Sequence, residues 1–451
     1  MNYPLLRNDL HPLLKLAVPL ALTGLMSASS GFFETLFLAK LGTETLAAGA
    51  LVSWLYGTFA VILFGTLGSI NILVSHKHGA NDQSGISLVA RDALLLSLLL
   101  TIPAFVLFWN MSPIFLLFGQ HPAVVSLAQS YIHALAWGLL PNFISTAIFE
   151  VIMGLGRTRV IMYFTVLGVL LVIFFSYAFI FGAFGFPALG IAGAGWGMTV
   201  SYWVMAVITS IFVFTNKNYK PYFYSIINKN KPYYLWELLK LGFPIGAMYC
   251  FEVGFFFALT LVMGSLGSQL LAANQIVLQY LCILMSVIFS IAQAITVRMG
   301  HLLGAKEVNV AKNAAYTGIM LSAIFMGIIA IVFWTVPSLL ISVDIDVNNP
   351  SNANIVYEIK LLFAVSALFQ IIESIRISLF GALRALKDTN FTLLASMISF
   401  WGIALPIGYI FATTFQLGGM GLWWGMVLST TGSVLLLYWR FKLKIRCYTP
   451  N

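Results

Sequence analysis

Apolar runs long enough to cross a lipid bilayer follow one another almost from end to end of this chain, broken only by short polar loops. A helix rises 1.5 Å per residue, so about 20 apolar residues span the ~30 Å hydrocarbon core. Breaking the chain at its polar loops gives twelve spans, near 13–41, 46–75, 88–110, 123–153, 160–183, 190–215, 237–263, 271–300, 310–341, 356–381, 391–412 and 419–440. Length alone, 451 residues, would suit two or three soluble domains. Composition overrides that: 60% of residues are hydrophobic and 8% charged, where soluble domains carry roughly 25% charge. The fold class is therefore an all-α, polytopic membrane protein. The N-terminal "MNYPLLRNDLHPLLKLAVPLALTG" starts like a signal peptide, but its apolar run outlasts an h-region and further spans follow. It reads as an uncleaved first helix. Cys250, Cys282 and Cys447 show neither metal spacing nor a disulfide framework and read as packing residues.

Lysine and arginine placement sets the orientation. With the N-terminus inside, the inner loops hold Arg7, Lys77, Arg91, Arg157, Arg159, Lys217, Lys220, Lys229, Lys231, Arg298, Lys306, Lys312, Arg384, Lys387 and the tail "RFKLKIR". The outer loops hold Lys40, Lys360 and the acids Asp344, Asp346 and Glu358. Both termini are expected in the cytoplasm. The net charge of +9 follows from this topology and from anionic lipid, and calls for no nucleic-acid partner. One polar, proline-punctuated connection, "TNKNYKPYFYSIINKNKPYY", marks a boundary. It divides the chain into a six-helix lobe over 1–215, a cytoplasmic linker over 216–234 and a second six-helix lobe over 235–451.

The two halves repeat. At an offset of 225, "HKHGAND" (76–82) matches "HLLGAKE" (301–307), "LLKLAVP" (13–19) matches "LLKLGFP" (238–244), and "LAA" recurs at 46–48 and 271–273. Further on, "MGLGR" (153–157) matches "FGALR" (380–384) at 227, and "WGM" recurs at 196–198 and 424–426. This is an internal duplication. Six spans per unit give both halves one orientation, a parallel repeat about an axis along the membrane normal, with a central cleft between two bundles. The same comparison argues against a metal site at His76 and His78, since the second copy keeps only His301.

Of fourteen acids, most lie in loops or near span ends, and four lie deeper inside spans: Glu34, Glu150, Glu252 and Glu373. A charge at the bilayer centre costs ~2.5–3.5 kcal/mol on insertion scales, so each is a functional candidate. Glu150, seven residues before Arg157, is close enough to the inner loop for water or a basic partner. Glu252 is the most central, an unpaired carboxylate in "YCFEVGFFFALTLVMG". In span ten, Gln370, Glu373 and Arg376 form one polar stripe at three-residue steps, which also allows a plain Glu373–Arg376 ion pair. In span eight, Gln275, Gln279, Cys282, Ser286, Ser290 and Gln293 lie on one face that should meet a protein interior or a wet cavity. The 225-residue offset places Ala50, Trp54, Gly57, Val61, Gly65 and Gly68 opposite them, so only the second half has a polar face here. The acids have no repeat partners either: Glu252 matches Ser27, Glu373 matches Thr146, and Glu34 matches Leu259.

With "FFETLFLAKLG", "LGFPIGAMYCFEVG", "GSLGSQLLAANQIVLQ" and "LFQIIESIRISLFGALRALKDT" in place, the chain resembles the multidrug and toxic compound extrusion (MATE) family, most closely its NorM-type branch, over nearly its full length. The resemblance implies two six-helix bundles forming a V-shaped cleft in a plasma membrane, the bacterial inner membrane. It also implies a monomeric antiporter, not an enzyme, exporting organic, often cationic and aromatic drugs in exchange for inward H⁺ or Na⁺, with no cofactor beyond that ion. Glu252 and Glu373 fall on the family's ion-coupling acids, a possible Na⁺ position, and Glu34 on its first-helix acid. Phe369 stands where the family often has tyrosine, Val172 and Ser176 where it often has asparagine, and Arg376 adds a cation beside Glu373. These departures favour protons, bound in the second lobe between spans seven, eight and ten. Glu34, Gln275, Gln279 and Arg376 are then expected at the drug or in the cleft. A related flippase for lipid-linked sugars is the alternative; it would need a cationic cleft. A membrane enzyme is opposed by the lack of a His/Asp metal cluster, a Gly-x-Ser motif or an Asp pair, and a receptor by the duplication.

Overall fold

The computed structural model describes residues 3–223 and 233–448. The expected linker over 216–234, with Lys229 and Lys231, lies partly outside the described residues. Helices account for nearly everything else, and no strand occurs among the described residues. In chain order they are α1 (Tyr3–Ala39), α2 (Thr43–Leu67), α3 (Ser69–Gly79), α4 (Gln83–Trp109), α5 (Met111–Leu117), α6 (Pro122–Ala136), α7 (Leu139–Gly154), α8 (Thr158–Phe181), α9 (Ile191–Thr215) and α10 (Lys220–Phe223). The second half continues with α11 (Leu235–Leu266), α12 (Ser268–Gly304), α13 (Val308–Thr335), α14 (Pro337–Ile341), α15 (Ala353–Ala385), α16 (Thr389–Met397), α17 (Leu405–Thr413) and α18 (Gly418–Arg446).

Among the described residues, eleven helical stretches are long and apolar enough to cross a membrane, and a twelfth is formed if α6 and α7 count as one span bent by 50°. This is a multi-pass membrane protein. The bend falls at Trp137–Gly138, inside the stretch read from sequence as one span over 123–153. A second irregularity joins α16 to α17: Ile398–Ala404 is wound as a π-helix, a wider turn that shifts the register of the side chains it carries.

The chain forms two compact units. One is Leu22–Gly246; the other joins Met1–Ala21 to Ala247–Asn451. In the second, α15 is the central helix, packed against α12, α13 and α18. Gly381 permits the closest approach to α12, since a Cβ there would lie 2.4 Å from the Ala292 carbonyl oxygen. Thr296 Oγ1, on α12, donates to the Gly381 carbonyl at 2.8 Å.

The helix ends refine the repeat. α2 and α12 start at 43 and 268, and α4 and α13 at 83 and 308, keeping the offset of 225. α6 and α15 start at 122 and 353, and α8 and α16 at 158 and 389, which is an offset of 231. The left-handed turn residues agree: Asn81 pairs with Lys306 at 225, and Gly156 with Lys387 at 231. The sequence match of Arg157 with Arg384 is therefore one helical turn out of structural register. Arg157 corresponds to Asp388, and Glu373 to Asn142 rather than Thr146. The cause is the longer connection before α15, which an alignment by short identities cannot place.

Candidate functional site

α15 runs for 33 residues without proline, which keeps Gln370, Glu373 and Arg376 on one side of a continuous helix. Arg376 is 1% exposed and joins both deep carboxylates of its unit. Its Nε donates to Glu373 Oε2 at 2.7 Å, and Nη2 donates to Glu373 Oε1. Nη1 and Nη2 both donate to Glu252 Oε1 on α11 at 3.0 Å. The same oxygen accepts from Ser396 Oγ of α16 at 2.6 Å. The guanidinium lies over two ring faces, Phe380 and Phe400, each 4.6 Å from Cζ. Phe400 sits in the π-wound segment and stacks on Phe255 at 4.7 Å.

The sequence expectation of an unpaired Glu252 is corrected here. Its carboxylate is paired because a guanidinium has five donors, and Arg376 satisfies a helical neighbour and a distant helix together. The cluster itself draws its side chains from α11, α15 and α16. Gln275, Gln279 and Cys282 on α12 are exposed, Ser286 and Gln293 half-buried and Ser290 buried, and none of them bonds either carboxylate. Ser396 is the member that sequence reading missed; a serine in an apolar span carries little signal of its own.

Charge count gives the cluster its character. Two carboxyls and one guanidinium carry a formal charge of −1 in a nearly dry setting, with Glu373 5% exposed and Glu252 8%. Three of the four carboxylate oxygens accept from Arg376 or Ser396. Glu252 Oε2 takes none of these bonds, and its side chain keeps 11% exposure.

The other two intramembrane acids lie in the unit Leu22–Gly246. Glu34 is buried and accepts from the Tyr131 hydroxyl, whose oxygen is also 3.5 Å from Met198 Sδ. Glu150 is buried and accepts from Asn71 Nδ2 at 2.6 Å. Asn142, the structural counterpart of Glu373, donates to the Tyr56 hydroxyl at 2.7 Å, and Tyr56 donates to Tyr202 at 3.0 Å. A neutral amide thus stands in this copy where Glu373 stands in the other.

Fold and site together define a duplicated, all-helical, multi-pass membrane protein with charged side chains held inside its spans. Comparison with known proteins gives the family. The MatE family model matches residues 19–178 and 244–410, two segments that begin at the repeat offset read from the sequence. A probable multidrug resistance protein NorM of Burkholderia pseudomallei (strain K96243) is 31% identical over 431 residues, covering 95% of this chain and 92% of that protein. The corresponding protein of Pseudomonas aeruginosa (strain PAO1) is 31% identical over 448 residues, covering 98% and 91%. Two solved structures share the fold. One, described as an outward-facing conformation of a multidrug resistance MATE family transporter of the MOP superfamily, has a TM-score of 0.88 at 18% identity, with 99% and 98% coverage. The other, a MOP superfamily transporter from Pyrococcus furiosus, has a TM-score of 0.84 at 18% identity, with 99% and 98% coverage. The chain belongs to the MatE family.

Proposed function

We propose that this protein is a secondary active antiporter that exports organic cations and aromatic drugs from the cytoplasm in exchange for inward protons. It acts as a monomer in a plasma membrane with both termini inside. The names of its relatives support multidrug export, and the basic residues gathered in alternate loops support the orientation. The observation that carries the reading is that one guanidinium serves two carboxyls in the Glu252–Arg376–Glu373 cluster, a formal charge of −1. One proton neutralises it, and so does one drug cation nearby; the two compete for the same charge, which is the requirement for exchange.

The donor pattern favours H⁺ over Na⁺. A hard cation needs several oxygen ligands at once, whereas a proton needs one. Here three oxygens already face N–H or O–H donors and Glu252 Oε2 alone does not. Arg376 already supplies a positive charge to both carboxyls. Buried acids also run against the flippase alternative, which predicts a cationic cleft instead.

Ethidium efflux from reconstituted vesicles, with pH and Na⁺ gradients imposed separately, tests the reading. The pH gradient should drive efflux and the Na⁺ gradient should not. Glu252→Gln should abolish efflux with expression and folding near normal, because it keeps the shape and removes the exchangeable charge. Unchanged efflux by that variant would sink the proposal.

A further inference from the structure

Arg384, in the last turn of α15, is 8% exposed, and its bonding is incomplete. Nη2 donates to the Tyr249 hydroxyl of α11 at 3.0 Å, and Cζ lies 5.2 Å from the centroid of the same ring. Nε is buried and has no acceptor. Among the described residues no carboxylate stands within ion-pair distance of this guanidinium. The acids that could have served are engaged elsewhere. Asp388, four residues on, is held by Arg440 at 2.7 Å and Lys444 at 3.9 Å. Asp9 is held by Arg298 at 3.1 Å, and Glu252 by Arg376 at 3.0 Å.

A cation withdrawn from water without an anion, and with a donor left over, is costly and needs a cause. The unfilled bonding position is the buried Nε–H. Beside it, the Tyr249 oxygen already accepts from Nη2, which leaves its own O–H to donate. Two such donors beside a fixed positive charge are suited to an oxygen of a phosphate or a similar oxyanion. The position suits one too. α15 is long and apolar enough to cross the membrane, and Arg384 lies at its end, at the depth of lipid headgroups.

We propose that Arg384 and Tyr249 form an oxyanion site for a phosphate group, supplied by an anionic phospholipid headgroup or by free phosphate. The site shares no side chain with the carboxylate cluster and does not depend on the antiport reading. The test uses the full chain in neutral detergent. Its thermal midpoint is measured with added phosphatidylglycerol, with phosphatidylcholine, and with sodium phosphate against sodium chloride at equal ionic strength. A ligand present at about a hundredfold over its Kd should raise the midpoint by on the order of 5 °C. A rise with phosphatidylglycerol alone assigns the headgroup, and a rise with phosphate assigns the free anion. Arg384→Gln should remove the rise and Tyr249→Phe should reduce it. Arg157→Gln, at an exposed arginine 4.8 Å over the Tyr219 ring, should leave it intact. If Arg384→Gln does not fold, Arg384→Lys keeps the charge without the Nε edge and should lose at least half the rise. An undiminished rise in Arg384→Gln, or in both Arg384→Lys and Tyr249→Phe, overturns the site, as does no rise with either phosphate source.

Discussion

Replacing Arg376 with glutamine should be one of the most destabilising single polar substitutions in the protein, and the loss should depend on pH. The arginine makes four hydrogen bonds to Glu252 and Glu373 and is 1% exposed. Without it, two buried carboxylates face each other with Ser396 as the remaining donor. Removing one partner of a buried ion pair costs about 3–5 kcal/mol, and here the lost partner serves two anions. For a unit of this size that corresponds to a fall in thermal midpoint of roughly 6–20 °C. The loss should shrink on acidification, since a proton on either carboxylate replaces part of the missing positive charge. The double variant Arg376→Gln/Glu373→Gln, with one acid left in place of two, should recover most of the midpoint at pH 8. Melts of the detergent-purified single and double variants between pH 5 and pH 8 supply the cycle. Equal, pH-independent losses in the single and double variants would refute the argument that uncompensated charge is the cause. The cluster would then be held by packing of the guanidinium between Phe380 and Phe400.

Three further outcomes are expected. Gly381→Ala places a Cβ 2.4 Å from the Ala292 carbonyl oxygen; it should cost about 1–3 kcal/mol in thermal or denaturant unfolding by forcing α12 and α15 apart. Asp82 caps α4 through Gly85 N–H at 2.8 Å and pairs with Lys77 at 2.8 Å; the lysine first, and then that N–H, hold its carboxyl below its ordinary value of 3.8. Its contribution is thus present above that pH and lost as pH falls through the lower folded value. Asp82→Ala should cost ~1 kcal/mol at pH 7 and little in strong acid, read by melts at both. Glu34→Gln should weaken cationic substrates relative to neutral ones by roughly 1–3 kcal/mol, read as a ratio of Kd values, while the pH gradient still drives export of a neutral substrate.

Periodic apolar runs and charge scarcity revealed the helices, because each span must close its backbone hydrogen bonds within itself. The bend at Trp137–Gly138 was less legible: Gly138 and Pro141 are its local signals, but both are tolerated within straight spans. The π-winding at Ile398–Ala404 has no composition of its own. Glu373 and Arg376 were visible as neighbours because three residues is nearly one helical turn. The Arg376–Glu252 bond crosses 124 positions, and the Glu150–Asn71 bond 79. Such pairings are set by how helices pack, and no local pattern announces them. The same limit hid the 231-residue register of α15, and with it the equivalence of Glu373 and Asn142.

The division of the chain has a consequence for its synthesis. The unit Leu22–Gly246 is contiguous, so its parts are all present once residue 246 has left the ribosome. The other unit needs Met1–Ala21, made first, and Ala247–Asn451, made last. Asp9 therefore waits for Arg298, 289 residues downstream, before its ion pair can form. At about 5–20 residues per second this interval is roughly 15–60 s. Through that time the start of α1 must be held by lipid or by the insertion machinery rather than by its own protein. Slowed translation past residue 246 prolongs that exposure, and substitutions that make residues 9–21 more polar should reduce the yield of inserted protein more than the stability of what is finished.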